Sequence, residues 1–166
     1  MTRDFRVFIT NLGKYNEGEL VGKWLDLPCD DIEEELASIG VADDTQYEEY
    51  FITDYENGWG YEVGEYESLE TLNELAEQLA DVDSCGDGDW LCAFMEAYND
   101  DLEYALDNYE KSAFYPDMSL EEVAEEIINS CYNVPEELKA YIDYASYADN
   151  NLVDYTETEY GTICIY

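Results

Sequence analysis

The sequence predicts an α+β protein, elongated, with three small modules in a row. Three observations carry that prediction. Runs of β-forming residues cluster towards the two ends of the chain, bounded by glycine and proline. Apolar residues at helical spacing fill the stretch between them. The third observation is charge: 166 residues carry 43 Asp+Glu against 6 Lys+Arg and no histidine, a formal net charge of −37. Duplex DNA bears one charge per ~1.7 Å of axis, so this charge matches roughly 63 Å of duplex, whereas a compact globule of this length is only ~40 Å across; charge alone points to an elongated body or to an oligomer that extends one.

The first module, residues 1–61, is a small α/β unit. Arg6-Val7-Phe8-Ile9-Thr10 reads as a strand, and Gly13 to Gly18 interrupts it. Leu20 to Leu27 is a second extended run that stops at Pro28. Asp30 to Gly40 reads as a short helix, with acids in its first turn, where the helix dipole favours them, and Gly40 at the usual stop position. Tyr47 to Tyr55 alternates as a third strand, and Gly58 and Gly60 close the unit near Tyr61.

The second module, residues 62–109, is helical and acidic. Leu69, Leu72, Leu75, Ala76 and Leu79 form one apolar stripe, and Asp81 to Asp89 reads as a Gly- and Asp-rich loop. Trp90, Leu91, Phe94, Met95 and Tyr98 mark a second helix; Leu102, Ala105, Leu106 and Tyr109 mark a third.

The third module, residues 110–166, is α+β. Ala113-Phe114-Tyr115 is a strand before Pro116. Ser119-Leu120-Glu121-Glu122 is a capping box for a helix whose stripe is Leu120, Val123, Ala124, Ile127, Ile128 and Cys131. Pro135 opens another helix, with Leu138, Tyr141, Ile142 and Ala145 on one face. Tyr155–Thr158 and Thr162–Tyr166, joined at Tyr160-Gly161, read as a terminal hairpin.

High charge alone favours disorder. Here 46% hydrophobic and 15% aromatic residues, spread along the whole length with 17 tyrosines, argue for a folded chain. The N-terminus leads into a strand rather than a signal peptide, and no apolar run approaches the ~20 residues of a membrane helix. A soluble, cytoplasmic protein is expected, repelled by anionic lipid and by nucleic acid. Cys29, Cys85, Cys92, Cys131 and Cys164 are widely spaced with no CxxC, so free buried thiols are expected rather than a zinc site.

Two local motifs fail on inspection. Asp81-Val82-Asp83-Ser84-Cys85-Gly86-Asp87-Gly88-Asp89 resembles a calcium-binding EF-hand loop, but Cys85 and Cys92 stand at required ligand positions. Gly13-Lys14-Tyr15-Asn16-Glu17-Gly18-Glu19-Leu20 has the spacing of a phosphate loop, but Glu19-Leu20 replaces Lys-Ser/Thr and would repel phosphate. Carboxylate pairs are too abundant for one to stand out, no serine sits in a GxSxG elbow, and no cysteine has a histidine partner. Neither a catalytic centre, a metal nor a cofactor is expected.

The tyrosines admit two readings. Core and sheet packing is the plainer one, expected for most, including Tyr47, Tyr141 and Tyr166. A solvent-edge tyrosine can also hold neighbouring carboxylates away from the body. The acids have a plainer reading too, a solvated surface. It accounts poorly for the missing cations. Only Asp4, Glu17 and Glu19 of the 43 acids precede Asp26, so 40 lie from Asp26 onward, against Lys111 and Lys139 alone. Helices ordinarily gain from Glu–Lys pairs one turn apart. Omitting them points to an unbroken negative field that replaces a polyanion on a protein surface. The alternative is an acidic calcium-responsive or histone/chaperone-like binding module.

Phe8-Ile9-Thr10-Asn11-Leu12-Gly13-Lys14-Tyr15-Asn16-Glu17-Gly18-Glu19-Leu20-Val21-Gly22-Lys23-Trp24 resembles the opening of the ArdA antirestriction proteins. Val134-Pro135-Glu136-Glu137-Leu138, Tyr141-Ile142-Asp143-Tyr144 and Tyr147-Ala148 resemble their C-terminal segment. Asp149-Asn150 stands where that family's Arg-Asp pair is expected, which makes the region more negative. The resemblance implies a product of mobile elements that mimics B-form DNA and occupies the DNA-binding groove of Type I restriction-modification enzymes, formed by their specificity and modification subunits. It implies three domains in a row and a homodimer through residues 110–166. The acids expected to carry the mimicry lie on the middle and C-terminal helices: Glu70, Glu74, Glu77, Asp100, Asp107, Glu122, Glu126 and Glu137. No direct nucleic-acid or membrane binding is expected.

Overall fold

Phe5, Val7 and Ile9 alternate with more exposed neighbours and are each at most 4% accessible, the pattern of a strand with one face on a core. They belong to β1 (Phe5–Asn11) in a computed structural model that describes residues 3–98 and 101–166. The strand is central in an antiparallel sheet of order β2-β1-β3, flanked by β2 (Gly22–Leu27) and β3 (Tyr50–Asn57). Phe5 faces Leu27 and Ile9 faces Lys23 on one side; a bulge at Phe8/Ile9 shifts the register against β3. Between β1 and β2 the segment expected as a break forms a short helix, α1 (Leu12–Asn16), because the Asn11 side chain accepts from the Lys14 amide at 3.0 Å. Helix α2 (Ile32–Ser38) starts where Asp31 accepts from the Glu34 amide, and Gly40 follows it at φ +80°.

Helix α3 (Leu69–Cys85) buries Leu69, Leu72, Leu75, Ala76 and Leu79, the stripe read from the sequence. Each fully buried leucine contributes about 2 kcal/mol. Asn73 clamps both the amide and the carbonyl of Cys29, at 2.7 and 3.2 Å, and the Leu69 amide donates to the Tyr50 hydroxyl. The helix runs on through Asp81–Cys85, which corrects the expected loop. It ends at Gly86, whose φ of +86° supplies the left-handed cap.

The contacts divide the chain into two compact units, 1–86 and 87–166. They share out the helices of residues 62–109, α3 to the first unit and the next two to the second. There α4 (Gly88–Tyr98) and α5 (Leu102–Asn108) contribute Leu91, Phe94, Leu102 and Ala105 to the core. A 3-10 turn (Tyr109–Lys111) leads into β4 (Ser112–Pro116), which joins β6 (Gly161–Ile165) and β5 (Tyr155–Thr158) in an antiparallel sheet of order β4-β6-β5. Trp90 donates its ring N–H to Ser112 Oγ at 2.8 Å and stacks on Phe114.

Helix α6 (Leu120–Cys131) packs Val123 and Ala124 against Ala148 and Leu152 around α8 (Tyr144–Asn151). The single helix expected after Pro135 is instead a short α7 (Glu136–Lys139) and a separate α8. Asp143 divides them by capping the Ser146 amide at 2.9 Å, so Leu138, Tyr141, Ile142 and Ala145 share no helix face. Tyr141 and Tyr166 are 85% and 90% exposed, against the packing role expected of them. None of the five cysteines is in a disulfide, but only Cys92 and Cys164 are buried; Cys85 and Cys131 are exposed. Among the described residues, no helix is long and apolar enough to cross a membrane.

Candidate functional site

A helix with one buried stripe must send its remaining residues outward, and here those residues are acids. Glu70, Glu74 and Glu77 follow one another at helical spacing on α3, all exposed, opposite the leucines. Asp81 extends the row and is exposed as well. From Glu70 to Asp81 the row climbs roughly 16 Å of helix axis at ~1.5 Å per residue, a carboxylate every ~4–6 Å. One DNA strand places a phosphate every ~3.4 Å of axis, so the row has a linear charge of the same order as a single strand.

The row is ordered at its start. The Ser68 hydroxyl caps the Thr71 amide and donates to the Glu70 carboxylate at 2.6 Å. That hydrogen bond, with the Glu70 backbone amide, holds Glu70 below the ordinary glutamate range, so it stays ionised.

A second row lies on α6. Glu122 and Glu126 are one turn apart and exposed, and Glu121 and Glu125 widen the face. Glu122 accepts from both the amide and the hydroxyl of Ser119, each at 2.8 Å, and this lowers its pKa. Its carboxylate is thus both a cap and a fixed surface charge. Asp107 is exposed on α5, and Glu137 is exposed in the first turn of α7. Asp100 lies outside the described residues. The seven described acids therefore fall into two ordered helix rows, Glu70, Glu74, Glu77 and Glu122, Glu126, and two more isolated positions, Asp107 and Glu137. Asp81, Glu121 and Glu125 belong to the same rows; their helical spacing from the named acids is the signal that finds them.

The cations are consumed elsewhere. Arg3 pairs with Asp83 at 3.3 Å and lies over the Trp59 ring. Arg6 holds Glu56 at 2.9 and 2.5 Å and stacks on Trp24. Lys23 pairs with Glu35, and Lys139 with Glu136 at 2.8 Å. Lys111 donates to the Asn108 side chain, and Lys14 sits over the Tyr47 ring. Among the described residues, no cation pairs with Glu70, Glu74, Glu77, Asp107, Glu122, Glu126 or Glu137.

Such an arrangement defines a class: an acidic α+β protein that displays helix-borne carboxylate rows while its few cations engage other groups of the same chain. The family model for the antirestriction protein ArdA matches residues 7–163, and the chain belongs to that family. No curated protein matches it significantly.

Proposed function

We propose that this antirestriction protein mimics B-form DNA and competitively occupies the DNA-binding groove of a Type I restriction-modification enzyme. The single observation that carries the reading is the pair of exposed carboxylate rows on α3 and α6, which no cation among the described residues pairs with while the cations engage other groups of the chain. A groove lined by Lys and Arg binds phosphate through charge-assisted hydrogen bonds, and carboxylates offer the same acceptors. The protein acts as an inhibitor rather than as an enzyme, in the cytoplasm where incoming DNA meets restriction, and does not bind DNA itself. An elongated arrangement of modules, doubled through residues 110–166, spreads −74, twice −37, over the enzyme's groove. At two charges per base pair that equals roughly 37 base pairs of duplex.

The test is a restriction reaction on unmodified DNA titrated with the protein. Cleavage falls as the protein is added and returns when excess duplex is supplied, the signature of competition for one groove. Inhibition that added duplex does not relieve contradicts the proposal.

A further inference from the structure

Three aromatic residues distant in sequence meet at one side of the N-terminal unit. The Tyr15 ring meets Phe51 edge-on at 5.2 Å, and Tyr66 stacks on Phe51 at 6.3 Å with 23° between the ring planes. Phe51 is 5% exposed, whereas Tyr66 is 70% exposed and Tyr15 52%. With one face on Phe51, Tyr66 turns its other face to solvent. The backbone beneath it is fixed, because the Ile52 amide donates to the Glu65 carbonyl at 2.8 Å. Glu67 adds a second anchor by accepting from the Gly64 amide and the Tyr61 hydroxyl. A single exposed tyrosine is ordinary. A tyrosine stacked on a buried ring, with exposed Glu62, Glu65 and Glu70 close by in the sequence, is pre-organised for contact.

We infer that the exposed face of Tyr66 is an aromatic anchor that receives an arginine side chain of the partner protein, within the negative field of the neighbouring glutamates. Charge complementarity selects this occupant. A second copy of the chain brings a further −37, and nucleic acid is repelled in the same way. A guanidinium can stack on the ring while its N–H groups reach the adjacent carboxylates, which an apolar side chain cannot do. The carboxylate rows then supply mainly long-range attraction and Tyr66 supplies short-range hold, the division of labour seen between rim charges and buried anchors at protein interfaces.

The inference rests on occupancy of the Type I enzyme's groove, and the experiment separates the two. The affinities of the unmodified protein, Tyr66→Phe, Tyr66→Ala, Tyr66→Leu and Glu74→Gln for a purified Type I enzyme are measured from about 0.05 to 0.2 M NaCl. Tyr66→Phe keeps the ring and binds as the unmodified protein does. Tyr66→Ala weakens binding roughly tenfold at every salt concentration and leaves the salt slope unchanged. Glu74→Gln lowers that slope instead. Tyr66→Leu keeps an apolar cover on Phe51 and shows the same loss as alanine, which separates loss of the π face from a loosened fold. If Tyr66→Ala and Tyr66→Leu bind as tightly as the unmodified protein, the anchor is wrong and groove occupancy stands. If the unmodified protein fails to displace duplex DNA from the enzyme, both fall.

Discussion

Glu122 closes the N-terminus of α6 around Ser119: its carboxylate accepts the Ser119 amide and hydroxyl at 2.8 Å, while Ser119 Oγ accepts the Glu122 amide at 3.3 Å. Both bonds are stronger to the ionised carboxylate, so they hold its pKa below the ordinary 4.5. A depressed folded-state value stabilises the protein above the ordinary value, and that stability is lost as pH falls through the lowered one. Glu122→Ala therefore lowers the thermal midpoint at pH 7, and the difference from the unmodified protein vanishes in acid below the lowered pKa. Ser119→Ala removes the reciprocal cap and costs about 1 kcal/mol in denaturant titrations at neutral pH.

Gly161 sets the turn between β5 and β6 at φ +134°, where a side chain is strained and a Cβ would collide with the Tyr115 carbonyl oxygen across the β4–β6 pairing. Gly161→Ala destabilises the C-terminal unit by roughly 1–3 kcal/mol. Chemical denaturation followed through Trp90, which packs on β4 through Ser112 and Phe114, reads this loss.

Salt acts on the whole field. With 40 acids against two lysines from Asp26 onward, repulsion between like charges opposes folding. Screening lengths fall from ~30 Å at 0.01 M to ~8 Å at 0.15 M. The thermal midpoint rises with NaCl over that range. A flat or falling curve would show the acids to be locally compensated.

The segment that resembles a calcium loop is largely helical. Asp81–Cys85 are helical, and the Asp83 carboxylate is paired with Arg3. Micromolar calcium neither shifts Trp90 emission nor raises the thermal midpoint beyond what magnesium does. A saturable calcium-selective response overturns this and favours a calcium-responsive role.

Much of this architecture is legible locally. The alternation of Phe5, Val7 and Ile9, the acids opening α2, the Ser119–Glu122 box and the Tyr160-Gly161 turn each encode their element within a few residues. The misreadings have physical causes. Asp81 and Asp83 resemble loop residues by composition, but they lie in α3, where Arg3, 80 residues away, engages Asp83. Asp143 reads as one more surface acid, yet it caps α8 and breaks the expected helix. The acid rows follow from the 3.6-residue period alone. Internal pairing of the cations does not, since Arg6 and Glu56 are 50 residues apart. The meeting of Tyr15, Phe51 and Tyr66 likewise needs the fold.

If the rows act as a field, single acids matter little. Glu74→Gln or Glu126→Gln each cost within roughly 1 kcal/mol of enzyme binding. Replacing Glu70, Glu74 and Glu77 together with lysine abolishes inhibition while circular dichroism shows an unchanged fold. Loss of inhibition from one acid alone contradicts a distributed field and indicates a discrete pocket.

The most direct measurement is displacement of labelled duplex from a Type I restriction-modification enzyme by the unmodified protein, followed by fluorescence anisotropy. DNA mimicry predicts complete release of the duplex at excess inhibitor, weakening steeply as salt rises, with no binding of the protein to the duplex alone. If enzyme and duplex remain together under excess inhibitor while restriction still stops, the protein acts at another site and the mimicry account is wrong.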